Sequence, residues 1–123
     1  MWTVSKAGDI HYLTSVGGTA VHYYKKAGEN NFTNSTNCPP PAGDVFSVGE
    51  HILVVTLENG RPLIKTTLAS ENAWTTLLKE EKGDLYRHCN VTMADNKIFL
   101  CAMKKGKGEK QPITLLTYDV RFK

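Results

Sequence analysis

The stretch that decides the fold is His51-Ile52-Leu53-Val54-Val55-Thr56-Leu57-Glu58-Asn59-Gly60. It begins with a nearly unbroken apolar run, which is typical of a strand covered on both faces. The pair Asn59-Gly60 predicts a type I′ hairpin, because both central positions of that turn need a positive φ. We therefore predict a strand, a tight turn and a returning strand over 62–68 in an all-β chain.

The same pattern occurs three times along the chain. Ile10–Thr14 aligns with Ile52–Thr56 at an offset of 42 residues, and Phe32 then aligns with Trp74. The third copy aligns Ile98–Cys101 with Ile52–Val55, with four extra residues in the following loop. A period of about forty to fifty residues is typical of β-propeller blades.

The repeat predicts an all-β fold of three four-stranded antiparallel blades, which is half of a six-bladed ring. Within a single domain over 1–123 we place blade 1 at about 2–36, a connector at 37–43, blade 2 at about 44–80 and blade 3 at about 84–123. Asp95-Asn96 is predicted to form the first turn of blade 3. A small β-sandwich with accidental internal similarity is the alternative.

The loop Thr67-Leu68-Ala69-Ser70-Glu71-Asn72-Ala73-Trp74 resembles the Asp box of sialidases and trans-sialidases, S-x-D-x-G-x-T-W. The resemblance implies a six-bladed propeller that binds terminal sialic acid. Thr67 stands at the Ser position and Trp74 at the Trp position. Ala69 replaces the Asp and Glu71 the Gly, which indicates drift from an ancestral pattern. By the repeat register we expect Trp74 to be buried, and Phe32 likewise in the first blade.

The resemblance to sialidases implies three arginines on one carboxylate, a Tyr activated by a Glu, and an acid/base Asp. The chain contains only Arg61, Arg87 and Arg121, and no F-R-x-P motif. Arg87 and His88 lie at the predicted start of an inner strand and are candidate ligand-binding residues; the alternative is an exposed strand entry. We predict no catalytic residue, and an enzyme is the less favoured interpretation.

A second candidate binding segment runs from Lys104 to Lys110. Its cationic side chains could bind a sulfated or sialylated glycan, a phosphate backbone or an acidic protein, although a solvated hairpin has the same composition. These side chains are Lys104, Lys105, Lys107 and Lys110. The net charge of +3 is mild, with acids and lysines interleaved, and it predicts no specific nucleic-acid binding.

Cysteines and sequons favour a secreted or cell-surface protein. The sequons begin at Asn31, Asn34 and Asn90, which we predict to be glycosylated. Cys89 and Cys101 flank the Asp95-Asn96 turn and are candidates for a cross-strand disulfide, with a free buried thiol as the alternative. Cys38 would then remain for a partner.

No cofactor or metal site is predicted from the chain. The cysteines lack C-x-x-C spacing. The histidines are expected to share no face; they are His11, His22, His51 and His88. No apolar run is long enough for a transmembrane helix, and the first residues lack a secretion-signal core.

These observations favour a non-enzymatic, extracellular propeller segment that serves as a receptor, adhesin or binding scaffold. The alternatives are one half of an active sialidase-type glycoside hydrolase completed by another chain, and a small β-sandwich interaction protein. The expected partners are a host protein, a glycan, and a second copy or another propeller half that completes the ring. We expect apolar outer faces on the first and third blades. They would expose Ile10, Tyr12, Leu13, Ile98, Leu100, Leu115 and Leu116.

Overall fold

The computed structural model describes residues 1–17, 19–34, 43–68, 73–105 and 113–121, without the side chains of Ser15, Thr19 and His88. Within these ranges the chain is built from β-strands. They are β1 (Trp2–Val4), β2 (Ile10–Val16), β3 (Thr19–Lys25), β4 (Thr33–Asn34), β5 (Asp44–Val48), β6 (His51–Glu58), β7 (Arg61–Leu68), β8 (Thr75–Lys79), β9 (Tyr86–Ala94), β10 (Lys97–Lys104) and β11 (Ile113–Asp119). The all-β prediction is confirmed.

The strands form three antiparallel sheets, each from consecutive strands. The first sheet has the order β1-β2-β3-β4, the middle sheet β5-β6-β7-β8, and the third sheet β11-β10-β9. The third sheet therefore has three strands in the described part of the chain, where four were predicted. The sheets do not close into a ring.

The two predicted hairpin turns have the expected backbone. Asn59 and Gly60 have φ angles of 51° and 81°, and Asp95 and Asn96 have φ angles of 51° and 61°. Positive φ at both central positions is the requirement of a type I′ turn, whose twist matches that of the flanking strands. These turns fix the registers of β6 with β7 and of β9 with β10.

The core lies on both sides of the middle sheet. Ile52 and Val54 pack with Leu13 of the first sheet, together with Val45. The alternate β6 residues, Leu53 and Val55, pack in a second cluster with buried residues of the third sheet. Because successive strand residues point to opposite faces, one apolar run supplies both clusters. The predicted two-sided burial is confirmed for β6, and the resulting three layers exclude a two-sheet sandwich.

The outer sheets are buried on one side only. Leu13 is 3% exposed, whereas its neighbour Tyr12 is 40% exposed on the opposite face. In the third sheet Ile98 and Leu100 are fully buried against the middle sheet, and Leu115 is 61% exposed. The prediction of bare outer faces holds for Tyr12 and Leu115. It is wrong for Leu13, Ile98, Leu100 and Leu116, because these side chains point inward.

Trp74 and Phe32 differ in environment despite their equivalent positions in the repeat. Trp74 is half-buried and packs against the cluster between the first and middle sheets. Phe32 is 51% exposed, so its predicted burial is wrong. The difference arises because, in the described part of the chain, no sheet packs outside the first one to cover Phe32.

Candidate functional site

The starts of the first strands of all three sheets meet at one cavity, here called the strand-start cavity. Its volume is about 490 Å³. Its lining includes Met1, Gly43, Asp44, Thr56, Arg87 and Cys89. β1, β5 and β9 begin at this end, at residues 2, 44 and 86. The cavity therefore depends on the stacking of the three sheets.

Arg87 supplies the positive charge of the strand-start cavity. It is the second residue of β9 and is exposed. Its neighbour Tyr86 is buried, and the Tyr86 amide donates a 2.8 Å hydrogen bond to the carbonyl of Gly60. This bond fixes the start of β9 against the Asn59-Gly60 turn. No carboxylate in the described ranges forms an ion pair with Arg87, so its guanidinium can meet an anionic ligand.

Asp44 places a carboxyl group in the same cavity, at the start of β5. Burial raises the pKa of the Asp44 carboxyl above its ordinary value, and the nearby amino terminus opposes this in part. A carboxyl group with a raised pKa exchanges protons closer to neutral pH than an ordinary aspartate. Asp44 is therefore the described residue of the cavity best suited to move a proton.

Cys89 adds a thiol to the cavity but not a nucleophile. Burial raises the pKa of the Cys89 thiol, and the negative charge of Asp44 raises it further. The thiolate is the reactive form of cysteine, so this thiol is held in its unreactive state.

Gly43 forms part of the wall because its backbone lies against β6. A Cβ atom at this position would come within 2.8 Å of the Thr56 Cβ and would also collide with the Val55 backbone. Only glycine allows this close approach of the chain before β5 to β6, at the wall of the cavity.

The other predicted ligand-binding residues only partly join this site. Lys104 pairs in register with Tyr86, next to Arg87, and its Nζ lies 3.0 Å from the Asp84 carboxylate. That hydrogen bond raises the pKa of Lys104. Lys105 is exposed. Lys107, Lys110 and the His88 side chain lie outside the described residues.

The predicted Cys89–Cys101 disulfide is wrong, because both thiols are free. Cys101 lies opposite Asn90, and Cys89 lies opposite Ala102. Residues that pair directly share a face and successive residues alternate, so the two thiols are on opposite faces of the third sheet. Cys38 lies outside the described residues.

The three sequon asparagines are exposed, at Asn31, Asn34 and Asn90. Exposure is a requirement for glycosylation but does not test it. Their modification stays a prediction.

Sequence reasoning missed a buried histidine pair between the first and middle sheets. His11 and His22 are fully buried, with His11 Nδ1 at 2.9 Å from His22 Nε2. The expectation that the histidines share no face is wrong for these two. Leu13 lies opposite His22, and His11 is two residues before Leu13, so strand parity could have placed both on one face.

The histidine pair is electrostatically unusual. Burial lowers the pKa of both imidazoles, and the neighbouring His11 helps to lower that of His22 to about 4. The Trp74 ring meets His22 edge-on at 5.5 Å. Three polar atoms here have no hydrogen-bond partner among the described residues: His11 Nε2, His22 Nδ1 and Trp74 Nε1.

Comparison with known proteins relates the chain to enzymes that degrade polysaccharides. It is 28% identical over 129 residues to a long-isoform ulvan lyase of Glaciecola sp. (strain KUL10), covering 97% of this chain and 13% of the relative. It is 25% identical to a short-isoform ulvan lyase of Alteromonas sp. (strain LOR), covering 97% of this chain and 24% of that protein. No family model matches the chain.

A solved structure gives the same result. The crystal structure of polysaccharide lyase Uly1 superimposes with a TM-score of 0.76 at 26% identity, covering 94% of this chain and 26% of that one. The chain is similar to polysaccharide lyases. It spans between about an eighth and a quarter of the length of these proteins.

These comparisons correct two hypotheses from the sequence. The sialidase resemblance is wrong, since the similar proteins are lyases. The Asp-box match relied on Thr67 and Trp74 alone, and such a short motif also arises by chance. The hypothesis of a non-enzymatic adhesion scaffold is also wrong, because the similarity is to polysaccharide-degrading enzymes over nearly the whole chain.

No helix in the part of the chain that the structure describes could span a membrane.

Proposed function

We propose that this chain is part of a polysaccharide lyase and that the strand-start cavity binds an acidic polysaccharide. The observation that carries the proposal is similarity to ulvan lyases over 97% of the chain, supported by a TM-score of 0.76 to polysaccharide lyase Uly1. Ulvan is accordingly the first substrate to test. The similarity suggests the reaction class, and the residues of the cavity suggest the kind of sugar.

Arg87 supports an acidic sugar as the ligand. A guanidinium can donate two parallel hydrogen bonds to a carboxylate or a sulfate, which fixes the orientation of the sugar as well as binding its charge. The ammonium group of Lys104, one strand away, is paired with the Asp84 carboxylate at 3.0 Å, so Arg87 is the better placed of the two cations to bind the sugar. Both cations lie on the third sheet, whereas Asp44 is on the middle sheet.

The chemistry of a lyase assigns roles to these groups. Elimination removes the proton next to a sugar carboxylate, forms a C=C bond and expels the glycosidic oxygen, which takes up a proton; no water is consumed. Arg87 would stabilise the negative charge that develops on the sugar carboxylate as its neighbouring proton leaves. Asp44, with its raised pKa, is the candidate to take or return a proton.

The chain spans 13–26% of the length of these relatives, so the roles proposed here concern only its own residues. In the full assembly we place the three sheets as successive blades around a shared axis, which is the finer arrangement expected from the repeat. The sequons at Asn31, Asn34 and Asn90 support an extracellular location, where polysaccharides are found.

Product formation tests the proposal. The protein is incubated with ulvan, and the ultraviolet absorbance of the new C=C bond is followed over time. We expect a rising absorbance that is lost in Arg87→Ala and retained in Arg121→Ala, whose arginine is 85% exposed and pairs with Asp119. Equal rates in wild type and Arg87→Ala would remove the assigned role of Arg87.

A further inference from the structure

We propose that the pair of His11 and His22 is an acid-sensitive latch, which lets the first sheet open away from the middle sheet when the pH falls. The two histidines project from β2 and β3 of the first sheet and are fully buried at its contact with the middle sheet. On the other side of that contact, the Trp74 ring meets His22 edge-on at 5.5 Å. A charge added to the pair therefore acts on the contact between two sheets.

The contact offers no described partner for an added proton. The bond between His11 Nδ1 and His22 Nε2 needs one nitrogen without a proton, and a doubly protonated pair would replace it with two opposed N–H groups. The other two ring nitrogens and Trp74 Nε1 have no hydrogen-bond partner among the described residues. A buried charge without a partner is costly, and access to water removes that cost. Protonation of the pair therefore favours the open contact.

The charged neighbours of the pair act on one ring more than on the other. Burial lowers the pKa of His11, and the carboxylates of Asp9, before β2, and Glu50, in the middle sheet, offset part of that lowering. The pKa of His22 is lowered by burial and then further by His11. The Tyr24 ring, 6.4 Å from that of His11, is the remaining titratable neighbour on the first sheet. His22 is accordingly the ring whose protonation acts most strongly on the contact.

The two contacts of the middle sheet differ in apolar burial. Six buried apolar side chains form the cluster between the middle and third sheets in the described ranges, and four form the cluster between the first and middle sheets. Separating two sheets costs free energy in proportion to the apolar area that becomes exposed. The contact that contains the histidines is therefore also the one that opens at the lower cost.

Opening of this contact would change the strand-start cavity. Leu13 lies two residues after His11 on the same face of β2, and both Leu13 and Thr14 line the cavity. The first strands of the two sheets are joined by a 2.7 Å hydrogen bond between Thr3 Oγ1 and Ser47 Oγ, which involves no titratable group. β2 and β3 can therefore move while β1 stays on β5, and the cavity wall from the first sheet moves with them. This inference does not depend on the catalytic proposal.

Two adjacent valines of β6 provide a matched pair of probes. Val54 and Val55 are both 1% exposed, and Val54 packs towards the first sheet whereas Val55 packs towards the third. Val54→Cys and Val55→Cys therefore report separately on the opening of the two contacts. Each variant is treated with a dipyridyl disulfide, which modifies thiols at about pH 7 and at about pH 5, and the label is located by mass spectrometry of peptides. Dividing each rate by that of the unfolded chain at the same pH removes the intrinsic reactivity of the thiol.

The latch predicts a pH effect at one probe only. In the open form His22 regains its ordinary pKa of 6.5, against about 4 in the closed form, so the opening equilibrium should rise about twentyfold between pH 7 and pH 5. Labelling of Val54→Cys should increase by this factor relative to Val55→Cys, and addition of His22→Gln should abolish the increase.

Two results would overturn the proposal. An equal increase, or no increase, at both probes would show that acid opens no contact selectively. An increase at Val54→Cys that persists with His22→Gln would assign the opening to other groups. The comparison of the two cysteine variants retains both histidines, so it remains decisive if His22→Gln does not fold.

Discussion

The imidazole rings of His11 and His22 share a hydrogen bond inside the protein, with 2.9 Å between Nδ1 of the first and Nε2 of the second. One ring donates its N–H and the other accepts through a bare nitrogen, so both cannot be fully protonated while this bond exists. Since both side chains are fully buried, no solvent screens the charge that protonation would add.

This relationship predicts a loss of stability in mild acid. The pKa of His22 is lowered from 6.5 to about 4 in the folded protein. Between these values the unfolded chain binds the proton and the folded protein does not, so the free energy of unfolding falls as pH decreases from about 6.5 to about 4. The loss from His22 is on the order of 2–3 kcal/mol. Urea unfolding at several pH values measures it.

His22→Gln isolates this effect, because glutamine remains neutral over the whole range. Its unfolding free energy should depend less on pH in this window than that of the wild type. If the unfolding free energy of His22→Gln depends on pH as strongly as that of the wild type, groups other than His22 cause the acid sensitivity.

Leu53→Ala should destabilise the protein strongly. Leu53 is fully buried in the cluster between the middle and third sheets, so its truncation leaves a cavity as well as lost apolar burial. The expected loss is about 2–5 kcal/mol in chemical unfolding. Leu115→Ala, measured at low protein concentration, should have a small effect because that side chain is 61% exposed. Equal losses of unfolding free energy in Leu53→Ala and Leu115→Ala would contradict the placement of Leu53 between two sheets and of Leu115 on an outer face.

Gly60→Ala tests the turn that positions the start of β9. Gly60 has a φ of +81°, and an added Cβ would lie 3.2 Å from the carbonyl oxygen of Tyr86. Gly28→Ala is the matched control, since Gly28 has a φ of +84° but nothing within 4 Å. Both substitutions should cost about 1–2 kcal/mol from backbone strain, and Gly60→Ala should cost more. Thermal unfolding of both variants measures the difference, and equal costs would show that the Tyr86 contact is unimportant.

The two described thiols should react at different rates. Cys101 is exposed, whereas Cys89 is half-buried with a raised pKa. We expect an alkylating reagent to modify Cys101 first, as followed by mass spectrometry of peptides, with Cys89 reacting after unfolding. A Cys89 that reacts as rapidly as Cys101 in the folded protein would be inconsistent with its burial.

Local sequence patterns predicted much of the fold. The run at Ile52–Val55 and the pairs Asn59-Gly60 and Asp95-Asn96 specify strands and turns through short-range sterics and alternation, which a single sequence displays directly. The 42-residue offset also identified equivalent positions in the sheets.

Features that depend on contacts between strands and sheets were harder to predict. The candidate disulfide rested on Cys89 and Cys101 being nearly opposite around the Asp95-Asn96 turn, whereas the register pairs Cys89 with Ala102 and so puts the two thiols on opposite faces. The His11–His22 pair required the exact pairing of β2 with β3. For the candidate site, Arg87 was correctly identified as a strand-start residue, whereas Asp44 was not predicted as a site residue, because its burial in the cavity depends on the stacking of sheets.

A calorimetric titration of ulvan into the protein measures whether the strand-start cavity binds an acidic polysaccharide through Arg87. Arg87→Ala should weaken binding about tenfold or more, and Arg87→Lys should recover only part of it, because an ammonium lacks the two-pronged geometry of a guanidinium. Arg121→Ala should bind as the wild type does. Binding that is equally strong in Arg87→Ala, or absent in the wild type, would contradict the account.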